Sequence, residues 1–124
     1  MKLHLAVVGA QNHFTAYDAE SVTVNHTRYL TSLIVLPDQP VENWPPTSLE
    51  HLETAHFDTV VAHAPEIILL GVGARLRFPA REIRLAWARL HIGVEVMDTY
   101  AACRTYNILA GEGRRVAAAL ILGG

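Results

Sequence analysis

Gly71-Val72-Gly73 follows an apolar run, where a turn that cradles a phosphate would sit. A dinucleotide fingerprint also needs a third glycine opening a helix. Leu76 stands at that position, and Pro79 delays the helix. The glycines therefore read first as a tight exit from a sheet with close packing, and nucleotide binding is the competing use. Asp98-Thr99 ends another strand-like run and opens a helix, the end of an α/β sheet where ligands collect and where free amides attract anions. The carboxylate of Asp98 would itself occupy those amides, so capping is its expected role. On the same helix Ala102, Tyr106 and Leu109 form an apolar stripe, and Tyr100, Arg104 and Asn107 point away from it. These polar residues are either ordinary surface groups or contacts for a partner or an acidic group. The candidate ligand contacts are thus Gly71, Gly73, Asp98, Thr99, Arg104 and Asn107. A candidate interface is Arg81, Arg84 and Arg89 around Leu85, on the outer side of the preceding helix, with a solvated charged face as the alternative.

No catalytic set is complete. Cys103 lies between the core stripe and the polar face, without a local His–Cys signature, and reads as a small buried residue. His56 and His63 share a helical stripe two turns apart, with Thr59 between them. They lack the i, i+4 spacing of helical zinc sites, so neither a metal nor a cofactor is expected. No serine occupies a nucleophile elbow, and no carboxylate pair has an acid/base context.

The elements that must hold these residues begin with strands. Phe14 to Tyr17 reads as one, and Val22 and Val24 alternate with polar neighbours. Asn25-His26-Thr27 makes a turn into Tyr29–Leu36, whose apolar end belongs inside a sheet. Leu3 to Val8 is a weaker strand reading. Pro37 to Pro46, with four prolines, is a loop. Thr54 caps a helix from Ala55 to Ala64 with Phe57, Val60, Val61 and Ala64 inward. A start at Thr47 with Glu50 closing a capping box competes. Strand Ile67 to Leu70 follows Pro65. Pro79 then opens a helix ending near His91-Ile92-Gly93, with Ile83, Trp87 and Leu90 as its core stripe. Val94 and Val96 lead to the capped helix, glycines at 111 and 113 stop it, and Val116 to Leu122 forms a doubly covered strand. The order is a β-rich third followed by βαβαβ. It predicts a single α/β domain over residues 1–124, with a mixed, partly parallel sheet.

A net charge of −2 gives no basic field for nucleic acid, and the arginine-bearing helix lacks the interleaved aromatics that RNA binding would want. One cysteine excludes an internal disulfide, and no apolar run is long enough to span a membrane. His4 breaks the short apolar run after Lys2, which argues against a signal peptide; the chain is read as cytoplasmic.

The segments GVEVMDT, AACRTYN and EGRRVAAAL resemble the C-terminal signature of the complex I assembly factor 3 family. Ser32-Leu33-Ile34-Val35, Trp44, Pro65-Glu66-Ile67 and Gly71-Val72-Gly73 extend the resemblance over nearly the whole chain, with Val72 where the family pattern leads one to expect threonine. The resemblance implies a three-layer α/β fold with an extra β layer and a non-enzymatic assembly or protein-interaction role. It supplies no catalytic residues. The expected partner is a protein, with self-association left open. The rival expectation is a small-molecule or anion-binding protein or enzyme. It would use the crevice between Gly71–Gly73 and the helix start at Asp98, with Arg75, Arg77 or Arg104 on the anion.

Overall fold

The computed structural model describes residues 11–123, so the Leu3–Val8 strand expectation lies outside the described residues. A three-stranded antiparallel sheet comes first: β1 (Phe14–Tyr17), β2 (Val22–Val24) and β3 (Thr27–Tyr29). Asn25 and His26 turn β2 into β3 with φ of 50° and 74°, a left-handed pair that asparagine tolerates and a tight hairpin requires. A five-stranded sheet follows, in the order β5-β4-β8-β6-β7. Its strands are β4 (Leu33–Val35), β5 (Glu42–Asn43), β6 (Ile67–Gly71), β7 (Gly93–Met97) and β8 (Val116–Leu120). β6 pairs in parallel with β7 and β8, and β4 runs antiparallel to β8 and β5. The mixed sheet is the one expected from the order of elements.

Helices cover both faces. On one face lie 3₁₀ turns at Leu49–His51 and Thr54–Phe57, α1 (Asp58–Ala62) and α2 (Arg81–Trp87). They enclose Trp44, Phe57, Val60 and Ile83 against Ile34, Ile68, Leu70 and Ala119 of the sheet. On the other face lies α3 (Thr99–Gly111), whose Ala102, Cys103, Tyr106 and Ala110 pack on Leu69, Val116 and Ala118. The small sheet flanks α3 there through Phe14, Val22 and Val24. β8 is buried along its whole length, which explains its unbroken apolar sequence.

Several boundaries differ from expectation. The predicted strand Tyr29–Leu36 is two strands in two sheets. The break falls at Ser32, whose Oγ accepts from the Leu122 N–H at 2.9 Å and so ties the crossing to the end of β8. The proline loop contains the short edge strand β5. The helix expected from Ala55 starts as a 3₁₀ turn behind Glu53, whose N–H donates to His56 Nδ1 at 2.9 Å, so Thr54 is inside the turn and not its cap. Ser48, not Thr47, caps the preceding turn. Ala64 is exposed at φ 53°, because the chain leaves the helix there. Pro79 precedes α2, with Ala80 at the cap. Gly111 remains helical, and Gly113 supplies the left-handed exit at φ 82°.

Candidate functional site

The Gly71–Gly73 loop and the start of α3 are fastened to each other. Asp98 Oδ1 accepts from the Ala101 N–H at 2.8 Å, which is the capping role expected of it. Thr99, almost fully buried, donates its backbone N–H to the Gly73 carbonyl at 2.8 Å and accepts the Gly73 N–H on its hydroxyl at 3.1 Å. These reciprocal bonds occupy both backbone amides that a phosphate would need. Gly71 has a packing reason: a Cβ there would stand 2.6 Å from Leu120 Cδ2 inside the sheet. Gly73 adopts φ 106°, with open space where a Cβ would be, so conformation rather than crowding demands glycine.

Beside this latch, at the carboxyl ends of β6 and β8, lies a cleft of about 210 Å³. Val72, Ile121 and Leu122 give it apolar walls, and Gly73, Thr99 and Tyr100 form the side toward α3. Asp18, Glu20, Glu50 and Arg77 supply its charges. The Glu20 backbone N–H holds the Asp18 carboxyl below the usual carboxylate range, with Ser21 adding to it. Glu50 is also lowered, first by its own backbone N–H and then by Arg77, whose Nη1 donates to it at 2.9 Å. The cleft is therefore rimmed by ionised carboxylates, with its one arginine already paired. Such a lining does not suit an anion.

Of the six sequence-derived ligand contacts, only Gly73 and Thr99 line this cleft. Arg104 is exposed on α3, and neither it nor Arg75 reaches the cleft wall. Asn107 is engaged elsewhere: its Oδ1 accepts the Phe14 N–H at 2.9 Å and its Nδ2 donates to the Phe14 carbonyl at 2.8 Å. It faces β1, not solvent. Asp18 and Glu20 reach the cleft from the β1–β2 turn, far along the chain from α3, so no local sequence pattern points to them.

Arg81, Arg84, Leu85 and Arg89 are all exposed, and Leu85 shows 57% of its surface. Arg84 Nε donates to the Pro79 carbonyl at 3.1 Å, tying the helix to the loop before it. That loop exposes Leu76 and Phe78 to 53% and 61%. Sequence periodicity had no purchase on these two, since they fall between elements.

Cys103 is fully buried, and burial pushes its thiol up to about 12. It should resist iodoacetamide in the native protein at neutral pH and react on unfolding, as measured by mass spectrometry. Rapid native labelling would disprove the burial. Because the unfolded thiol ionises first, Cys103 supports stability fully at neutral pH. That support drains away as pH rises from the ordinary thiol value of 9.0 toward about 12.

Among curated relatives, the chain is 33% identical over 97 residues to a "13 kDa major membrane protein" of Francisella tularensis, covering 78% of this chain and 76% of that one. It is 32% identical over 111 residues to human NADH dehydrogenase [ubiquinone] 1 alpha subcomplex assembly factor 3, covering 88% of this chain. The match spans only 60% of the human protein's length. Among solved structures, a Xanthomonas campestris protein superposes with a TM-score of 0.82 at 46% identity, over 91% of this chain and 86% of that one. A Bordetella pertussis protein described as a Mth938-like domain superposes with a TM-score of 0.78 at 31% identity, over 93% and 88%. The fold is thus Mth938-like, and the assembly-factor resemblance seen in the sequence holds. The model of the family described as "Protein of unknown function (DUF498/DUF598)" matches residues 14–121, and the chain belongs to that family.

Proposed function

We propose that this chain is a non-enzymatic protein-interaction module that works in the cytoplasm in assembling a larger complex, a respiratory complex being the first candidate. The observation that carries this reading is the exposure of Leu76, Phe78 and Leu85 within one arginine-rich stretch. Large exposed apolar groups set among arginines match the composition of a protein contact. Similarity to the assembly factors supports the same reading. So does the chemistry of the described interior, where the single thiol is protonated at working pH.

A second reading is a small-molecule site in the 210 Å³ cleft, favoured by its place at the carboxyl ends of parallel strands. Its carboxylates direct that reading to cationic rather than anionic ligands.

Deleting the gene in its native host and resolving membrane complexes on native gels tests the assembly role. The expected result is loss of an assembled complex, NADH dehydrogenase first. Wild-type protein should restore it, and a Leu76→Asp/Phe78→Asp double variant should not. Since both side chains are largely exposed, that variant should melt like wild type. Intact complexes in the deletion strain would end the assembly reading.

A further inference from the structure

The surface between the first 3₁₀ turn and α2 carries a recess of about 290 Å³, with Leu49, Leu52, Phe78, Pro79 and Ile83 as its apolar lining. That is below or at the small end of cofactor sites and suits one large apolar side chain. Arg77 and Glu50 supply its charges, and the chain on either side of Phe78, Pro79 and Ile83 is rich in arginine. Arg75, Arg77, Arg81, Arg84 and Arg89 fall within fifteen residues of a chain whose net charge is −2, and Glu82 is the only acid among them. Among the described residues Arg75, Arg81 and Arg89 form no ion pair. Arg84 is held by Nε on the Pro79 carbonyl, at the recess wall, and no described side-chain acceptor engages its terminal nitrogens. Arg77 stands at the rim already paired with Glu50, so the cations left for a ligand are Arg84 and the unpaired arginines of this stretch.

We infer that this recess docks a partner segment in which an apolar side chain is flanked by carboxylates. The inference rests on the protein-interaction reading above and specifies the partner's chemistry. The apolar residue fills the recess between Phe78 and Ile83, and the carboxylates meet Arg84 and its neighbours. A guanidinium already fixed at Nε loses little freedom on accepting a carboxylate, so the site is preorganised. A second copy placed face to face would bring two arginine-rich surfaces together, which favours an acidic partner over an isologous dimer here. A flat lipid surface would engage the arginines but leave the concave recess unfilled.

The test uses an acetylated, amidated hexapeptide of sequence Asp-Glu-Phe-Leu-Glu-Asp, titrated into the full chain and followed by amide NMR shifts. Saturable shifts should appear around Leu49, Phe78 and Ile83 and weaken as salt is raised toward about 0.5 M. Phe78→Ala and Arg84→Gln should each weaken binding about tenfold, equivalent to about 1.4 kcal/mol. Neither should unfold the protein, which circular dichroism checks. A peptide with lysine in place of every acid should not bind. The inference is overturned by an absence of saturable shifts with the acidic peptide. Binding unchanged in both variants overturns it too, as does equal binding of the lysine peptide. Phosphatidylglycerol vesicles that capture the protein through the same arginines while the peptide does not would assign the surface to lipid. Peptide binding with normal complexes in the deletion strain would instead keep the docking site and remove the assembly role.

Discussion

Replacing Tyr106 with alanine should cost about 3–5 kcal/mol, the range for removing a buried aromatic ring that neighbours cannot replace. Tyr106 is fully buried on α3, and its ring meets Phe14 edge to face at a centroid distance of 5.2 Å. It shares one core cluster with Leu69, Val116 and Ala118 of the central sheet and with Phe14, Val22 and Val24 of the small sheet. Its hydroxyl donates to the Asn12 carbonyl at 3.1 Å, and burial pushes the phenol upward, so it stays a donor at any working pH. A domain of this size has about 5–15 kcal/mol in total, and the loss should lower the melting temperature by more than about 10 °C. Tyr106→Phe separates the two contributions: it keeps the ring, loses one hydrogen bond, and should cost about 1 kcal/mol. Chemical denaturation of both variants decides the matter. Comparable losses in the two would mean that the hydroxyl, and not the ring, fastens the small sheet.

Tyr106 is legible in the sequence because Ala102, Tyr106 and Leu109 recur at helical spacing, while unbroken apolar runs mark β6 and β8 and a capping residue type marks Asp98. What periodicity could not supply was where the first third of the chain goes. Asn12 illustrates the difficulty. Its Nδ2 donates to the carbonyls of Leu36 and Gln39, and its Oδ1 accepts from Asn25, three partners that no local pattern connects. The strand reading Tyr29–Leu36 failed for a related reason. Only Thr31-Ser32 interrupts the apolar residues between the two sheets, a pair that a single strand could also carry, and the bond from Leu122 to Ser32 reveals the crossing. For the site, the glycines and Thr99 were found because their residue types signal a loop and a cap. Their mutual hydrogen bonds, which close the loop, depend on the register of β6 with β7. The acids of the cleft arrive from two distant places, Asp18 and Glu20 from the β1–β2 turn and Glu50 from the first 3₁₀ turn. Leu76 and Phe78 lie in irregular chain, where hydrophobicity carries no period to read.

Asn107 and Arg104, three residues apart on α3, should respond very differently to truncation. Arg104 is exposed and makes no described side-chain hydrogen bond, so Arg104→Ala should change stability by no more than about 0.5 kcal/mol. Asn107 replaces a missing strand. β1 is an edge of the small sheet, and the asparagine amide satisfies both the N–H and the carbonyl of Phe14 there. Asn107→Ala would leave two partly buried backbone groups without partners, each unsatisfied group costing about 1–3 kcal/mol where water cannot reach it. Hydrogen exchange supplies a local readout: the Phe14 amide should lose protection in Asn107→Ala while amides in β6 and β8 fall only with global stability. Asn107→Asp should not rescue it, because the carboxylate keeps an acceptor for the Phe14 N–H but turns a second one toward the Phe14 carbonyl. If Asn107→Ala proves as mild as Arg104→Ala and Phe14 stays protected, β1 is held by its pairing with β2 alone. Asn107 would then return to the list of residues free to meet a partner.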